Sequence, residues 1–242
     1  MDNLNKPALG FEFAAAVFEL LFNDPSSSHS RATSLCTHGA EPLYIPWQSK
    51  TLQIAPAFII TRSDYCASVL HEVSHWCIAG LKRRCLVDFG YWYEPEGRSP
   101  HAQQAFYAAE RIPQSIECLL SQAAGIKYKP SYDDFSESNS ASNARADFAR
   151  SVQRQVTDYS SGLAALPARA SLYLRALVQA RHFFHADHIA HPKRVIRKDS
   201  LSIRGEALNR YTFAIPLAEK QSFLRTLAAG DSSIVSIESP TG

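Results

Sequence analysis

Long apolar runs are missing from this sequence of 242 residues. No stretch approaches the roughly 18 uninterrupted apolar residues that a membrane-spanning helix requires. The best candidate, Phe11 to Phe22, is interrupted by Glu19 and suits a core helix. A basic start is missing as well: Asp2 stands where a secretory signal would carry positive charge. There is little excess charge of either sign. The 25 Lys and Arg against 23 Asp and Glu leave +2, which gives no general field for DNA or for an anionic membrane surface. Cysteines number five, an odd count without a C-x-x-C pair, so neither a disulfide framework nor a zinc ribbon fits. Reduced thiols in a soluble, cytoplasmic protein are the expectation.

What is present is globular usage. The hydrophobic share is 45% and the charged share 20%, which excludes a mostly disordered chain, a collagen and a coiled coil. A chain of this length buries roughly 70% of its unfolded surface and needs no staples. Helices are expected over Phe11 to Phe22, from a Ser63 or Asp64 cap to Ala79, and from Pro100 behind an Ser99 cap. That last helix should end before Pro113, with another from Pro113 to Ala124 stopped by Gly125. Further helical periodicity covers Ala144 to Tyr159 and Pro167 to Phe184. Leu43 to Ile45, Leu52 to Ile60 and Cys85 to Tyr93 read as short strands. The predicted fold is α+β: a mostly helical single domain over residues 1–191 with a small β-sheet. Residues 192–242, basic at first and then with one short helix from Pro216 to Leu227, form a partly flexible C-terminal extension.

The sharpest motif is H-E-x-x-H in His71-Glu72-Val73-Ser74-His75. Two histidines four apart sit one turn above each other on a helix and can chelate one metal ion. The pattern alone is weak, but its helical wheel strengthens it. At about 100° per residue, Cys66, Val69, Leu70, Val73, Trp76 and Cys77 fall on one side. His71 and His75 fall opposite, beside small or polar residues. A packed helix that offers its second face to a cleft is what a metal site needs. Cys77, adjacent in space to His75, lies on the apolar side and reads as a small core residue.

A third ligand must come from elsewhere. Asp64 lies seven residues from His71, about two turns away. Glu94 and Glu96 sit in a turn where solvation is the plain expectation. Glu110 and Glu117 lie on apolar-rich helices, where a carboxylate is costly without a partner. Glu110 is the first choice and Glu117 the next. Two histidines and a carboxylate admit zinc with Glu72 as general base, a metallopeptidase, and equally iron(II) in a facial triad that activates dioxygen. Spacing does not separate the two.

The wider segment does. Ala67 to Gly80, Arg83-Arg84, Val87 to Tyr93, Pro95, Gly97-Arg98, Phe106, Glu110, Pro113-Gln114 and Ala123-Ala124-Gly125 together closely resemble the elongation factor P hydroxylase family. Weaker echoes are Glu41 to Pro46 and Pro167 to Arg169, so the likeness covers roughly Glu41 to Leu177. The resemblance implies a non-haem iron hydroxylase acting on the β-lysylated lysine of elongation factor P, with dioxygen as co-substrate. It implies His71 and His75, on a zincin-like helix, together with Glu110 as metal ligands, Glu72 as a catalytic residue, and Glu117 as a partner behind the ligands. Asp88, Tyr91, Tyr93 and Arg98 are the candidate substrate-binding residues. Zinc is the alternative metal, and a zinc metallopeptidase the alternative enzyme.

Three other features have plainer readings. Asp88-Phe89-Gly90 stands without the rest of a kinase signature and reads as a strand bordering the cleft. His182, His185, His188 and His191 recur every three residues, a spacing that drifts around a helix, and read as adventitious surface ligands. Lys82, Arg83 and Arg84 follow the metal helix, either as solvated cations at its C-terminal end or as a contact for an acidic protein.

Overall fold

The computed structural model describes residues 8–23, 32–47, 56–62, 65–91, 98–133, 138–184 and 195–229. The fold is organised around its first helix, α1 (Phe11–Phe22), which is apolar nearly all round and correspondingly buried on every side. One flank lies on the sheet, with Phe13 edge-on to Phe213 at 5.2 Å and Phe11 edge-on to Tyr211 at 5.4 Å. The other flank meets the helical layer, where Phe18 and Phe22 pack edge-on to Trp76 at 5.2 and 4.8 Å. Glu19, which breaks the apolar run in the sequence, is the polar tie between layers. Its carboxylate accepts from Ser34 Oγ, Leu35 N and Asn23 Nδ2, each at 2.6 Å. Burial pushes its pKa up, and those donors work against the rise.

The sheet has five strands in the order β2-β3-β1-β5-β4. Strands β1 (Thr33–Thr37) and β3 (Ala57–Ile60) are parallel, with Leu35 opposite Ile59. Strand β2 (Leu43–Ile45) runs antiparallel to β3, and β5 (Glu206–Phe213) antiparallel to β1 and to β4 (Ile196–Ile203). The β4–β5 hairpin turns on Arg204 and Gly205, both with positive φ (52° and 85°), as a two-residue turn requires. Cys36, Ile45, Ile60 and Leu208 make a small second core on the face away from α1.

The helical layer contains α2 (Cys66–Ile78), α3 (Pro100–Ala124), α4 (Asn139–Ser160), α5 (Ala168–Phe183) and, against α5, α6 (Leu217–Ala228). Ser99 caps α3, accepting from Ala102 N at 3.2 Å, and Gly125 ends it in the left-handed conformation. The architecture is α+β in a single domain, as the sequence predicts. Among the described residues, no helix is long and apolar enough to cross a membrane. All five cysteines are free.

Two sequence expectations are corrected. Of the expected strand Cys85 to Tyr93, the described residues, up to Tyr91, form no strand. That part lies in two 3-10 turns, Arg83–Cys85 and Val87–Gly90, and Asp88, Phe89 and Gly90 all have positive φ, which no strand accommodates. The helix break at Pro113 does not occur: α3 runs unbroken through it. The proline forgoes one backbone hydrogen bond, but the helix is packed against α2, α4 and α5 along its length, and that burial outweighs the loss. Residues 196–229 supply strands β4 and β5 and helix α6. Strand β5 lies between β1 and β4 and packs on α1. The expected boundary near residue 191, the Ser63/Asp64 cap, Leu52 to Ala55, and His185, His188 and His191 lie outside the described residues.

One arginine fixes the end of α2. Arg169 Nη2 donates to the carbonyls of Trp76 (2.7 Å), Cys77 (3.0 Å) and Ala79 (2.5 Å), and its guanidinium lies 4.5 Å over the Trp76 ring. The last carbonyls of a helix have no partners within it, so this cation satisfies both their hydrogen bonding and their partial charge. Replacing Arg169 with Ala should lower stability by about 1.5–3 kcal/mol, the usual worth of charge-assisted hydrogen bonds, as measured by urea denaturation. Arg169→Lys should recover only part of it, because an ammonium cannot reproduce the flat, aromatic-stacked fork.

Candidate metal centre

The centre lies where α2 faces α3. The apolar side of α2 behaves as its wheel predicts: Cys66, Val69, Leu70, Val73, Trp76 and Cys77 are all buried. That leaves His71 and His75 half-buried on the other side. Because α3 is continuous, Glu110, Gln114 and Glu117 fall at i, i+4 and i+7, a single stripe along the helix. The unbroken helix aims Glu110 and Glu117 together.

His75 Nε2 is 3.2 Å from His71 Nε2 and 3.3 Å from Glu110 Oε1, and His71 Nε2 is 3.8 Å from Glu110 Oε2. Two donors bound to one ion at 2.0–2.1 Å stand about 2.8–3.4 Å apart at right or tetrahedral angles; the His75–His71 and His75–Glu110 separations match a common cation, and the 3.8 Å between His71 and Glu110 is wider. No other group of three such donors converges among the described residues. The first-choice ligand set of the sequence reading is therefore brought together in space.

Glu117 is brought in behind it. Its Oε2 lies 2.8 Å from His71 Nδ1, and that nitrogen donates to the carboxylate. With Nδ1 so engaged, Nε2 is the atom left to face the ion, the arrangement that commonly orients a metal-binding imidazole. Gln114 does the same for Glu110. Its Nε2 donates to Glu110 Oε2 (3.3 Å) and to Ser131 O (2.8 Å), and its Oε1 accepts from Tyr128 O–H (2.9 Å) and Ser131 N (3.1 Å). The amide is fully buried and has a partner for each polar atom. Gln114 stands in the segment that carries the family resemblance, yet its spacing to Glu110 signals this role only once the helix is known to be unbroken.

Charge follows from this geometry. Burial opposes protonation of His71, but the hydrogen bond and charge of Glu117, with Glu72 and Glu110 nearby, outweigh it and push the pKa up to about 10. Burial would raise Glu110, but His75 and His71 hold it down at about 2. Glu72 is raised, chiefly by burial, with the two histidines opposing and Glu110 and Asp88 adding to the rise. Glu72 thus lies within electrostatic reach of the whole centre. Without a metal, a proton on His71 serves as the cation that these carboxylates require, and a metal ion must displace it.

The other candidate residues fare differently. Tyr91 is beside the centre, its ring edge-on to His75 at 6.3 Å. Asp88 is close, but its Oδ1 accepts from Tyr44 N at 2.8 Å and so pins the turn to β2. Arg98 is committed elsewhere: it donates to Asp133 Oδ2 at 2.8 Å and stacks on Phe106, with its side chain only 4% exposed. Tyr93 lies outside the described residues.

A helix-borne pair of histidines and a carboxylate from a second helix form a donor set that could hold a metal ion. The comparison with known families narrows the chemistry. Residues 21–193 match the elongation factor P hydroxylase family, and the chain belongs to that family. The elongation factor P lysine hydroxylase of Haemophilus influenzae is 40% identical over 146 residues, which span 60% of this chain and 78% of that protein.

Two measurements test the centre. Glu110→Ala should abolish stable metal binding, whereas Glu117→Ala should weaken it by about 10–100-fold, the typical cost of losing a ligand's own support. Metal content after dialysis against a buffered metal series reads both. In the metal-stripped protein, the raised His71 contributes stability in full below its ordinary 6.5 and loses it as pH rises through about 10. The depressed Glu110 contributes above its ordinary 4.5 and loses it as pH falls through about 2. Melting temperatures of chelated protein should therefore decline from pH 6.5 towards 10, and His71→Ala should flatten that decline.

Proposed function

We propose that this protein hydroxylates a lysine of elongation factor P in its β-lysylated form, working in the cytoplasm with iron(II) and dioxygen. Membership of the elongation factor P hydroxylase family supports the reaction and the substrate. The observation that carries the metal is the convergence of His71, His75 and Glu110, two imidazoles and one carboxylate. This donor set suits iron(II) in a facial site, where open positions remain for activating dioxygen. The protein's own residues then divide the work. Glu117 holds the His71 ring, Gln114 holds the Glu110 carboxylate, and Tyr91 stands beside His75 at the edge of the centre. Three converging donors also argue against a purely structural zinc, which is normally closed by four protein ligands.

The alternative is a zinc metallopeptidase with the same three ligands and Glu72 as general base. Mass spectrometry of elongation factor P from cells lacking this protein separates the two. The modified lysine should lose one oxygen mass and regain it when the wild-type gene is restored, but not with His71→Ala or Glu110→Ala. An unchanged mass in the deletion strain rejects the hydroxylase reading. Cleavage of elongation factor P by the purified zinc form would favour the peptidase.

A further inference from the structure

The segment that follows α2 presents a group of apolar side chains to solvent. Leu81 is 76% exposed, Leu86 51%, Val87 45% and Tyr91 42%. Lys82 and Arg83 stand exposed among them. Single exposed apolar residues are ordinary; four within eleven positions, rimmed by cations, are the pattern of an interaction site.

This patch is held rigid at a conformational cost. Asp88 (φ 48°), Phe89 (φ 58°) and Gly90 (φ 70°) are successive left-handed residues, and two of them are not glycine. Such strain persists only where the surroundings impose it. Here Tyr44 N donates to Asp88 Oδ1 at 2.8 Å, and the Tyr44 ring stacks on Phe89 at 4.1 Å. Tyr44 O–H donates to Arg84 O at 3.0 Å, and Arg83 Nη1 donates to Phe89 O at 3.2 Å. The turn is therefore fixed to strand β2 before anything binds, which spares a partner the entropy of ordering it.

The patch is also continuous with the metal centre. The Arg83 guanidinium lies 4.4 Å over one side of Tyr91, and the same ring meets His75 edge-on at 6.3 Å. A lysine carried on a folded protein reaches such a centre only if the surface around that lysine lies against the rim of the site. We propose that Leu81, Lys82, Leu86 and Val87 form the docking surface for the protein substrate, which contributes an apolar contact flanked by acidic side chains. This rests on the protein-lysine hydroxylase reading above.

The test uses the full-length metal-loaded protein, lysylated elongation factor P, and a short peptide bearing the same modified lysine. The double variant Leu81→Ser/Val87→Ser touches no residue of the centre, and its metal content and melting temperature serve as controls. It should weaken binding of the whole protein at least tenfold by calorimetry and raise its KM in step, while peptide turnover stays at the wild-type level. Lys82→Glu should weaken the same binding most at low salt, because reversing a rim charge acts through encounter. Equal Kd and KM for the wild type and the double variant would overturn the proposal. Tighter binding by Lys82→Glu would overturn the acidic character of the partner's rim. Absence of hydroxylation by the wild type on protein and peptide alike would instead overturn the underlying functional reading.

Discussion

Everything at the centre depends on how α2 is packed. Its apolar side is sealed against α1, α3 and α5, with Trp76 wedged between Phe18, Phe22 and the Arg169 guanidinium. That burial fixes the rotation of the helix about its axis. A turn of one residue position, about 100°, would carry the histidines out of reach of α3 and drive a polar side chain into the core. The hydrophobic contacts on one side are thus what aims the imidazoles on the other.

The second constraint is electrostatic. Glu110 and Glu117 both lie almost fully buried on one helix, a costly arrangement unless cations face them. His71 answers both, with Nδ1 towards Glu117 and Nε2 towards Glu110. The site is therefore built around a positive charge, a place that a proton or a metal ion could fill. Gln114, sitting between the two acids, is the neutral residue that lets them share a stripe without meeting.

Much of this is legible in the sequence because it is local. The wheel of α2 shows which side is apolar, and the HExxH spacing shows which side can chelate. Glu110 is brought beside the two histidines, although Pro113 reads as a break by local rules and only the packing of α3 against three helices overrides it. Asp88-Phe89-Gly90 misleads in the same way. Its aromatic and β-branched neighbours suggest a strand, and nothing local announces three left-handed residues held by Tyr44, which lies more than forty positions earlier. Arg98 looks available in the sequence because the loop that brings Asp133 to it is non-local. The hairpin of β4 and β5 is the largest omission. Its exposed face is polar enough to hide the alternation, and its place in the sheet comes from pairing with β1.

That pairing joins residues from opposite ends of the chain: Cys36 lies opposite Arg210, and Thr37 opposite Asn209. During synthesis β1 emerges early and finds β3 within a few tens of residues, but its other edge has no native partner until about 170 more have been made. The helices that carry the ligands are complete by then. Until the hairpin is made, the helices can pack on an unfinished sheet, whose open edge invites pairing with other chains. Closure by the late hairpin is the non-local, slow kind of event that limits folding rates. Folding of this enzyme is thereby set less by the site than by how soon its distant strand arrives.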